Sequence, residues 1–229
     1  MNQQEQIKNI DLMKFLMAIL VVCLHTNPFW DISFLLNSAV VFWIARLAVP
    51  FFFICTGFFL EKKESYDSHK EGFRGKHQVV KLLKMYLIWN IIYLIVAFCT
   101  KSTGLTFSLK ELIIEIVVRG GVSILWYIHA TVVAIILINF FDRLRIKPIV
   151  ILIIAIIFFI IGLMGQSYFS IFRQLSLWDI DIVHRIASCA LSVLGIGGTR
   201  HGLFFGFPFV YLGTCVARYS NKIQLKRMT

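Results

Sequence analysis

The chain alternates long apolar runs with short charged segments, and this pattern predicts its architecture. Several runs approach the roughly 20 residues that a helix needs to cross a bilayer, and none shows the polar alternation of a β-barrel strand. We therefore expect an all-α integral membrane protein, a polytopic helical bundle with about six transmembrane helices. The expected spans are 12–30, 38–60, 85–100, 124–141, 149–165 and 203–217.

Residues 166–202 fit more than one arrangement. Within them, 182–197 is either a further span or an amphipathic part of an external or re-entrant segment. A seventh span would place the basic tail "ARYSNKIQLKRMT" outside the cell, so six spans are the preferred prediction. We treat 1–229 as a single membrane domain, complete or truncated.

Composition and charge agree with a membrane protein. The 229 residues are 59% hydrophobic and only 15% charged, and the mean hydropathy of +0.80 exceeds that of ordinary soluble domains. In the six-span arrangement most Lys and Arg residues fall on one side, which predicts that both termini and the 61–84 loop are cytoplasmic. The net charge of +11 then reflects topology and anionic lipid, so the bilayer is an expected partner and nucleic acid is not. The predicted location is the cell (plasma) membrane.

The first span keeps Asp11, Lys14 and His25 on one helical stripe. With a rise of about 1.5 Å per residue, Lys14 lies roughly 16 Å and Asp11 roughly 21 Å from His25, so Asp11 does not orient the imidazole directly. A histidine in the outer half of a span can remove a proton from a hydroxyl acceptor. It can equally be a neutral side chain bonded to a backbone carbonyl, and its position alone leaves both interpretations open.

The second span contains one cation and two residues that disturb helix packing. Arg46 lies deep in an apolar run, so we expect it to point inward to an acceptor. Pro50 removes a backbone hydrogen bond and Gly57 allows close helix approach, which predicts a kinked helix against its neighbours. The alternative for Pro50 and Gly57 is a role in packing alone.

Basic residues precede the third span on one helical face. His77, Lys81 and Lys84 are spaced by four and three residues, which suits the phosphates of a nucleotide-like donor. The same residues also fit an ordinary stop-transfer cluster that reaches lipid headgroups.

The fourth span begins with aromatic residues and a histidine. Trp126 is typical of an interfacial aromatic residue. His129 has the same predicted depth as His25, so the two could meet across the bundle, although a structural role is the preferred interpretation of His129 itself. The five cysteines show no C-x-x-C spacing, and neither a metal site nor a disulfide framework is predicted.

Four stretches taken in order resemble a known family. "IDLMKFLMAILVVCLH", "RLAVPFFFICTGFFL", "KLLKMYLIW" and "LWYIHA" are similar to the integral membrane acyltransferase type 3 family, which includes O-acetyltransferases of bacterial surface polysaccharides. The later stretch "TRHGLFFGFPFVYLG" is similar to the membrane domain of membrane-bound serine racemases from vancomycin-resistant bacteria. Members of the acyltransferase family are usually longer than this chain and have more membrane helices.

The resemblance implies roles for particular residues. The family pattern of an arginine, ten residues and a histidine matches Lys14 and His25, and its R-x-x-R pair matches Lys81 and Lys84. The resemblance implies that His25 is the catalytic base and that the three lysines bind the donor. Lysine lacks the planar arginine fork, so donor binding should be weaker or differently shaped. Asp11, Arg46, Trp126 and His129 are expected to support the site.

The implied activity is acyl transfer in the cell envelope. The donor would be cytoplasmic acetyl-CoA or another acyl-CoA, the acceptor a hydroxyl of a cell-surface glycan or similar molecule, and no cofactor would be bound. Cys55 occupies the position of a serine often present in the family's "FFxxSG", so a hydroxyl-dependent role there is in doubt. Two alternatives stay open: a transport or substrate-uptake module like the racemase membrane domain, and an inactive truncated copy.

Overall fold

The fold is taken from a computed structural model that describes residues 3–66, 73–100, 114, 116, 117, 125–164 and 202–228. All regular secondary structure in these ranges is helical. The α-helices, numbered in chain order, are α1 (Gln3–Thr26), α2 (Phe34–Ser38), α3 (Ala48–Tyr66), α4 (Lys76–Cys99), α5 (Trp126–Arg143), α6 (Pro148–Met164) and α7 (Phe207–Met228). A π-helical segment Ala39–Ile44 and a 3-10 turn Ala45–Leu47 join α2 to α3, and a second π-helical segment, Gly202–Gly206, leads into α7.

The helical membrane architecture predicted from the sequence is confirmed in its coarse form. Four stretches are long and apolar enough to cross a membrane: Asn9–Thr26, Phe34–Lys62, Lys76–Val96 and Trp126–Arg143. The apolar helix Pro148–Leu163 is shorter, and the sixth expected span coincides with the start of α7. The orientation of the termini stays a prediction, and the ambiguous segment 166–202 lies outside the described residues except for Gly202.

Large apolar side chains cover much of the outer surface. Trp43 is 80% exposed and Phe98 is 79% exposed, and many other exposed side chains on α1, α4 and α6 are apolar. A soluble monomer rarely exposes so much contiguous apolar surface. The surface is therefore that of a protein surrounded by lipid.

Two helices end in left-handed residues for local reasons. Asn27, with φ 48°, follows α1 and donates its N–H to the carbonyl of Cys23, and Pro28 then prevents helix continuation. At the end of α5, Arg145 has φ 53°, and the N–H groups of Arg145 and Ile146 bond back to the last turn as in a Schellman motif. The first helix accordingly stops at Thr26, and Trp30 of the expected span 12–30 lies beyond it.

The third span begins earlier than the sequence predicts. It was expected at 85–100, whereas α4 starts at Lys76, so part of the predicted 61–84 loop is helical. Gly75 has φ +66°, a conformation that suits glycine and turns the chain into the helix. Lysine is a good helix former with a long apolar stem, so basic residues do not end an apolar helix as a loop would.

The irregularity expected near Pro50 lies just before it. The π-helical segment and the 3-10 turn occupy residues 39–47, and Pro50 is the third residue of α3. Proline is tolerated in the first turn of a helix, while its ring opposes the carbonyl four residues earlier, here that of Arg46. Regular α-helix therefore begins only at Ala48.

The core lies where α3, α5, α6 and α7 meet. Its fully or almost fully buried members are Phe53, Ala130, Ala134, Ile138, Ile151, Ala155, Phe207, Val210 and Tyr211. α4 packs against α5, and α1 packs against α3 and the turns that precede it. The predicted donor-binding lysines therefore lie on α1 and α4, which pack on the outside of the group formed by α3, α5, α6 and α7.

Two glycines bring α3 and α7 into backbone contact. A β-carbon at Gly57 would overlap the carbonyl of Val210, and one at Gly213 would overlap the carbonyl of Ile54. Helices in lipid gain little from hydrophobic burial against each other, so small residues that allow close van der Waals contact stabilise their association. The expectation that Gly57 allows close helix approach is confirmed.

Candidate functional site

Phe59, Leu60 and Glu61 of α3 lie at one end of the bundle, which we call the inner end because it is predicted to be cytoplasmic. Lys14 is fixed at this end. The Lys14 ammonium forms an ion pair with Asp11 at 3.0 Å and lies 4.2 Å from the centroid of the Phe59 ring. Asp11 therefore binds Lys14, which agrees with the expectation that it does not orient His25. The resulting arrangement holds one cation against α3.

Lys81 and Lys84, called here the lysine pair, stand at a similar depth. Leu60 belongs to one apolar cluster with Val79 of α4 and with residues of α5, so the lysine pair follows within about 8 Å along α4. Both lysines are exposed. Because Phe59 and Leu60 are adjacent on α3, the three predicted donor-binding lysines lie near one level of the bundle, on α1 and on α4.

His25 lies at the opposite end of α1, which we call the outer end. It is in the last helical turn and is exposed, and its ring makes no hydrogen bond within the described ranges. Its distance from Lys14 along the helix is about 16 Å. Lys14 and the predicted base thus belong to one continuous helix, which packs against the Ala45–Leu47 turn and α3.

Arg46 does not point inward as the sequence predicts. Its side chain is exposed, and the guanidinium carbon lies 5.0 Å from the centroid of the Phe42 ring. An aromatic face attracts a cation electrostatically, so Phe42 is a local partner for the exposed Arg46 side chain. Because α1 packs against the turn that contains it, Arg46 belongs to the α1 side of the bundle.

His129 and Trp126 occupy the first turns of α5. His129 Nε2 is 2.9 Å from the carbonyl oxygen of Val117, and its ring centroid is 5.8 Å from that of Tyr86. The Trp126 ring lies against Phe53, 6.2 Å between centroids, so it packs against the core. These contacts are those of structural residues, which was the alternative interpretation of His129.

His25 and His129 differ in depth. The Phe53 and Tyr127 rings are 4.6 Å apart, and this contact aligns α5 with α3, while Lys14 over Phe59 aligns α1 with α3. Counting about 1.5 Å per residue from these contacts, His25 lies about 10 Å further out than His129. The expectation that the two histidines share a depth is therefore wrong.

A cluster of charges at the inner end was missed by sequence reasoning. Glu61 accepts hydrogen bonds from Arg74 at 2.9 Å and from Arg218 at 2.8 and 3.2 Å. Arg74 also lies 3.4 Å from Asp142. We call these four residues the ion cluster. Glu61 directly follows the apolar run of α3, and an acidic side chain at that depth needs a charged partner, so this signal could have identified it.

Asn139 holds the backbone beside the ion cluster. Its side-chain oxygen accepts from the Arg74 N–H at 2.6 Å, and its amide nitrogen donates to the Arg74 carbonyl at 3.1 Å and to Ile135. The β-carbon of any residue replacing Gly75 would lie 2.6 Å from a Leu60 methyl. The turn before α4 is therefore hydrogen-bonded to α5 and packed against α3.

The chemistry available at these positions is ionic and acid–base. In the described ranges there is no group of three His, Cys, Asp or Glu that could hold a metal ion, and Cys23, Cys55, Cys99 and Cys215 are free. Cations at the inner end can bind an anionic ligand, and an exposed imidazole at the outer end can take a proton.

The chain belongs to the acyltransferase type 3 family, because the family model described as "Acyltransferase domain" matches residues 7–229. Curated relatives carry a different name. Two proteins called "Amino-acid racemase" from Enterococcus faecalis are each 27% identical, over 99% and 96% of this chain. A "Serine/alanine racemase" from Enterococcus gallinarum is 28% identical over 96% of the chain. The chain spans 30% of the length of each relative. No solved structure matches it.

Proposed function

We propose that this chain is a plasma-membrane acyltransferase that moves an acyl group, in the first place acetyl, from cytoplasmic acyl-CoA to a hydroxyl of a cell-surface glycan or similar acceptor. Family membership supports a membrane acyltransferase. The observation that carries the finer proposal is the layout of α1. Lys14 is fixed at its inner end, near the depth of the lysine pair, and His25 is open at its outer end.

The donor is proposed from the charges at the inner end. Lys14 is paired with Asp11, whereas Lys81 and Lys84 are exposed, so the lysine pair offers two cations to phosphate groups of coenzyme A. A donor anchored by phosphate at the lysine pair needs a long arm to bring its acyl group near His25, because by helix rise this level lies roughly 10–15 Å below His25. The pantetheine arm of coenzyme A is a flexible chain of this kind, which favours it over a short acyl phosphate.

The proposed reaction follows from general base catalysis. The His25 imidazole takes the proton of the acceptor hydroxyl while the oxygen attacks the thioester carbonyl carbon. The carbon–sulfur bond breaks, an ester forms, and coenzyme A leaves as a thiolate that receives a proton. Electrons and protons balance without an added oxidant, reductant or metal. Asp11, Arg46, Trp126 and His129 are proposed as supporting residues through the contacts described above.

Binding of acetyl-CoA to the detergent-purified chain is the direct test of the proposed donor. Titration calorimetry should detect acetyl-CoA binding, and coenzyme A without the acetyl group should bind comparably because the proposed anchor is phosphate. Acetyl phosphate is the matched control that carries the acyl group without the long arm. Failure of acetyl-CoA to bind, with the protein still folded by circular dichroism, would overturn the donor assignment.

Transport or substrate uptake is the second candidate. It is favoured by the curated names of the relatives, two amino-acid racemases and one serine/alanine racemase, and by 27–28% identity over nearly the whole chain. In this alternative, cells expressing the chain would accumulate labelled serine or alanine faster than control cells. Uptake without acetyl-CoA binding would favour the transport module, and neither activity would favour an inactive truncated copy.

A further inference from the structure

Glu61 is the acidic centre of the ion cluster, and its burial makes the cluster interdependent. The residue is 8% exposed, and its two carboxylate oxygens accept three hydrogen bonds from two arginines. A buried charge without its partner is strongly unfavourable, whereas a carboxylate shared by two guanidinium groups is compensated. Loss of Glu61 would therefore affect Arg74 and Arg218 together.

Arg74 links the ion cluster to α4. Its backbone is held on both sides by Asn139, the next residue is the left-handed Gly75, and α4 begins immediately afterwards. Lys81 and Lys84 follow about one and two turns into that helix. The position of Arg74 consequently sets the starting point from which the lysine pair is presented.

We infer that Glu61 is a positioning residue for the lysine pair, acting through Arg74 and the start of α4. The same carboxylate binds Arg218, so α7 takes part in the positioning although its arginine is 157 residues away along the chain. Glu61 itself is not proposed to touch the donor. The link to donor affinity rests on the proposed function, while the link to the position of α4 does not.

Asp142 provides a matched comparison because it also faces Arg74. Its oxygen is 3.4 Å from the Arg74 guanidinium, and this contact lacks hydrogen-bond geometry. The Asp142 side chain is 28% exposed, against 11% for Glu61. Glu61→Gln and Asp142→Asn each remove one negative charge near Arg74 without a large change of shape, but only the first replaces one of the two oxygens that accept from both arginines by an NH₂ group.

The experiment combines hydrogen exchange with donor titration on the full chain in detergent. Glu61→Gln should speed amide exchange in the peptide 74–84 by about tenfold or more, because charge-assisted hydrogen bonds at the start of α4 are lost. Acetyl-CoA affinity should fall by a similar factor. Asp142→Asn should change either quantity by less than about threefold, because the Asp142 contact is not a hydrogen bond and Arg74 keeps Glu61 as its acceptor.

Each outcome bears on a separate claim. Equal exchange of 74–84 in the Gln and Asn variants would overturn the positioning role, whatever the donor. Faster exchange with unchanged acetyl-CoA affinity would overturn the link to donor binding. If the parent chain binds no acetyl-CoA, the proposed function fails, and the exchange result alone decides whether Glu61 holds α4. If Glu61→Gln does not fold, Arg218→Gln is the second variant, because it keeps the Glu61–Arg74 pair. Arg218→Gln should still speed exchange in 74–84. Unchanged exchange in that variant would count against the inference.

Discussion

The two ends of the bundle handle charge differently. At the inner end, Glu61 accepts hydrogen bonds from both Arg74 and Arg218 in a largely buried cluster, and Lys14 is held by Asp11 and the Phe59 ring. At the outer end, His25 and Arg46 are exposed, and neither forms an ion pair within the described ranges. Under the proposed function the ion cluster does not touch the donor; it holds the start of α4, which carries the exposed lysine pair. Open side chains suit a variable acceptor.

Replacement of His25 should produce the largest effect on activity and should separate the two ends. His25→Ala is expected to lower acyl transfer by about 10²- to 10⁴-fold, the usual contribution of a general base. Acetyl-CoA affinity should be unchanged because the lysine pair lies roughly 10–15 Å below His25 by helix rise. Product formation on the acceptor and calorimetry with acetyl-CoA measure the two quantities.

The neighbouring Thr26 offers the control for that change. Thr26 is also exposed in the last turn of α1, and its hydroxyl bonds only locally to the Val22 carbonyl. Thr26→Ala should therefore keep activity within a few-fold of the parent. Equal product from the His25→Ala variant and the parent would show that His25 is a packing residue. The outer end would then have no catalytic role that distinguishes it from the inner end.

Gly57 tests whether packing as well as charge fixes the inner end. A methyl group at Gly57 would overlap the Val210 carbonyl, so Gly57→Ala should separate α3 from α7 and lower stability by about 1–3 kcal/mol. Glu61 lies one turn after Gly57, and Arg218 follows the same contact on α7, so the Glu61–Arg218 pair should weaken too. Thermal unfolding in detergent measures the loss.

Gly162 is the matched glycine on α6. A β-carbon there would approach the Phe204 carbonyl to 3.0 Å, a tight contact that small shifts can relieve. Gly162→Ala should therefore cost less than Gly57→Ala. The reverse order would contradict the close crossing of α3 and α7 as the support of the inner end.

Hydropathy predicted the helical class because each span is a local property of sequence. The starts and ends of helices were less accessible: the third span was expected at 85–100, yet α4 begins at Lys76 and includes the basic residues expected on one helical face. Charge density alone does not distinguish a basic loop from a basic helix, because lysine stems extend along apolar surface. The left-handed Gly75 was the local signal for the true start.

The ion cluster could not be derived from local sequence patterns. Arg74 is 13 residues and Arg218 is 157 residues from Glu61 along the chain, so their meeting depends on the packing of α3 against α7. The inward direction predicted for Arg46 was wrong for a related reason, because the direction of its side chain depends on the turns before α3. The His25 and lysine assignments came from the family resemblance and stay predictions.

The lysine pair should respond to the shape of the cation as well as to its charge. Lys81→Gln with Lys84→Gln should weaken acetyl-CoA binding by about tenfold or more, because two charge-assisted contacts to phosphate are lost. Lys81→Arg with Lys84→Arg, which restores the family pattern, should preserve or tighten binding, since an arginine fork can take two oxygens. Calorimetry on purified protein compares the two double variants.

A change of charge elsewhere at the inner end controls for long-range electrostatics. Lys76 and Lys147 are both exposed, and Lys76→Gln with Lys147→Gln removes the same total charge. Binding in this variant should stay within about threefold of the parent, because exposed charges are screened over about 10 Å. An equal loss in both Gln variants would reduce the lysine pair to a generic stop-transfer cluster.

Arg46 should give the smallest effect and decides whether the outer end contains more than His25. An exposed cation over an aromatic ring contributes about 0.5–1 kcal/mol, so Arg46→Gln and Phe42→Leu should each lower stability by no more than that. If Arg46 also helps to bind the acceptor, Arg46→Gln should raise the acceptor KM by a few-fold, whereas Phe42→Leu should not. Acetyl-CoA affinity should stay constant in both variants. Identical acceptor kinetics in the two variants would assign Arg46 to packing against Phe42 and leave His25 alone at the outer end.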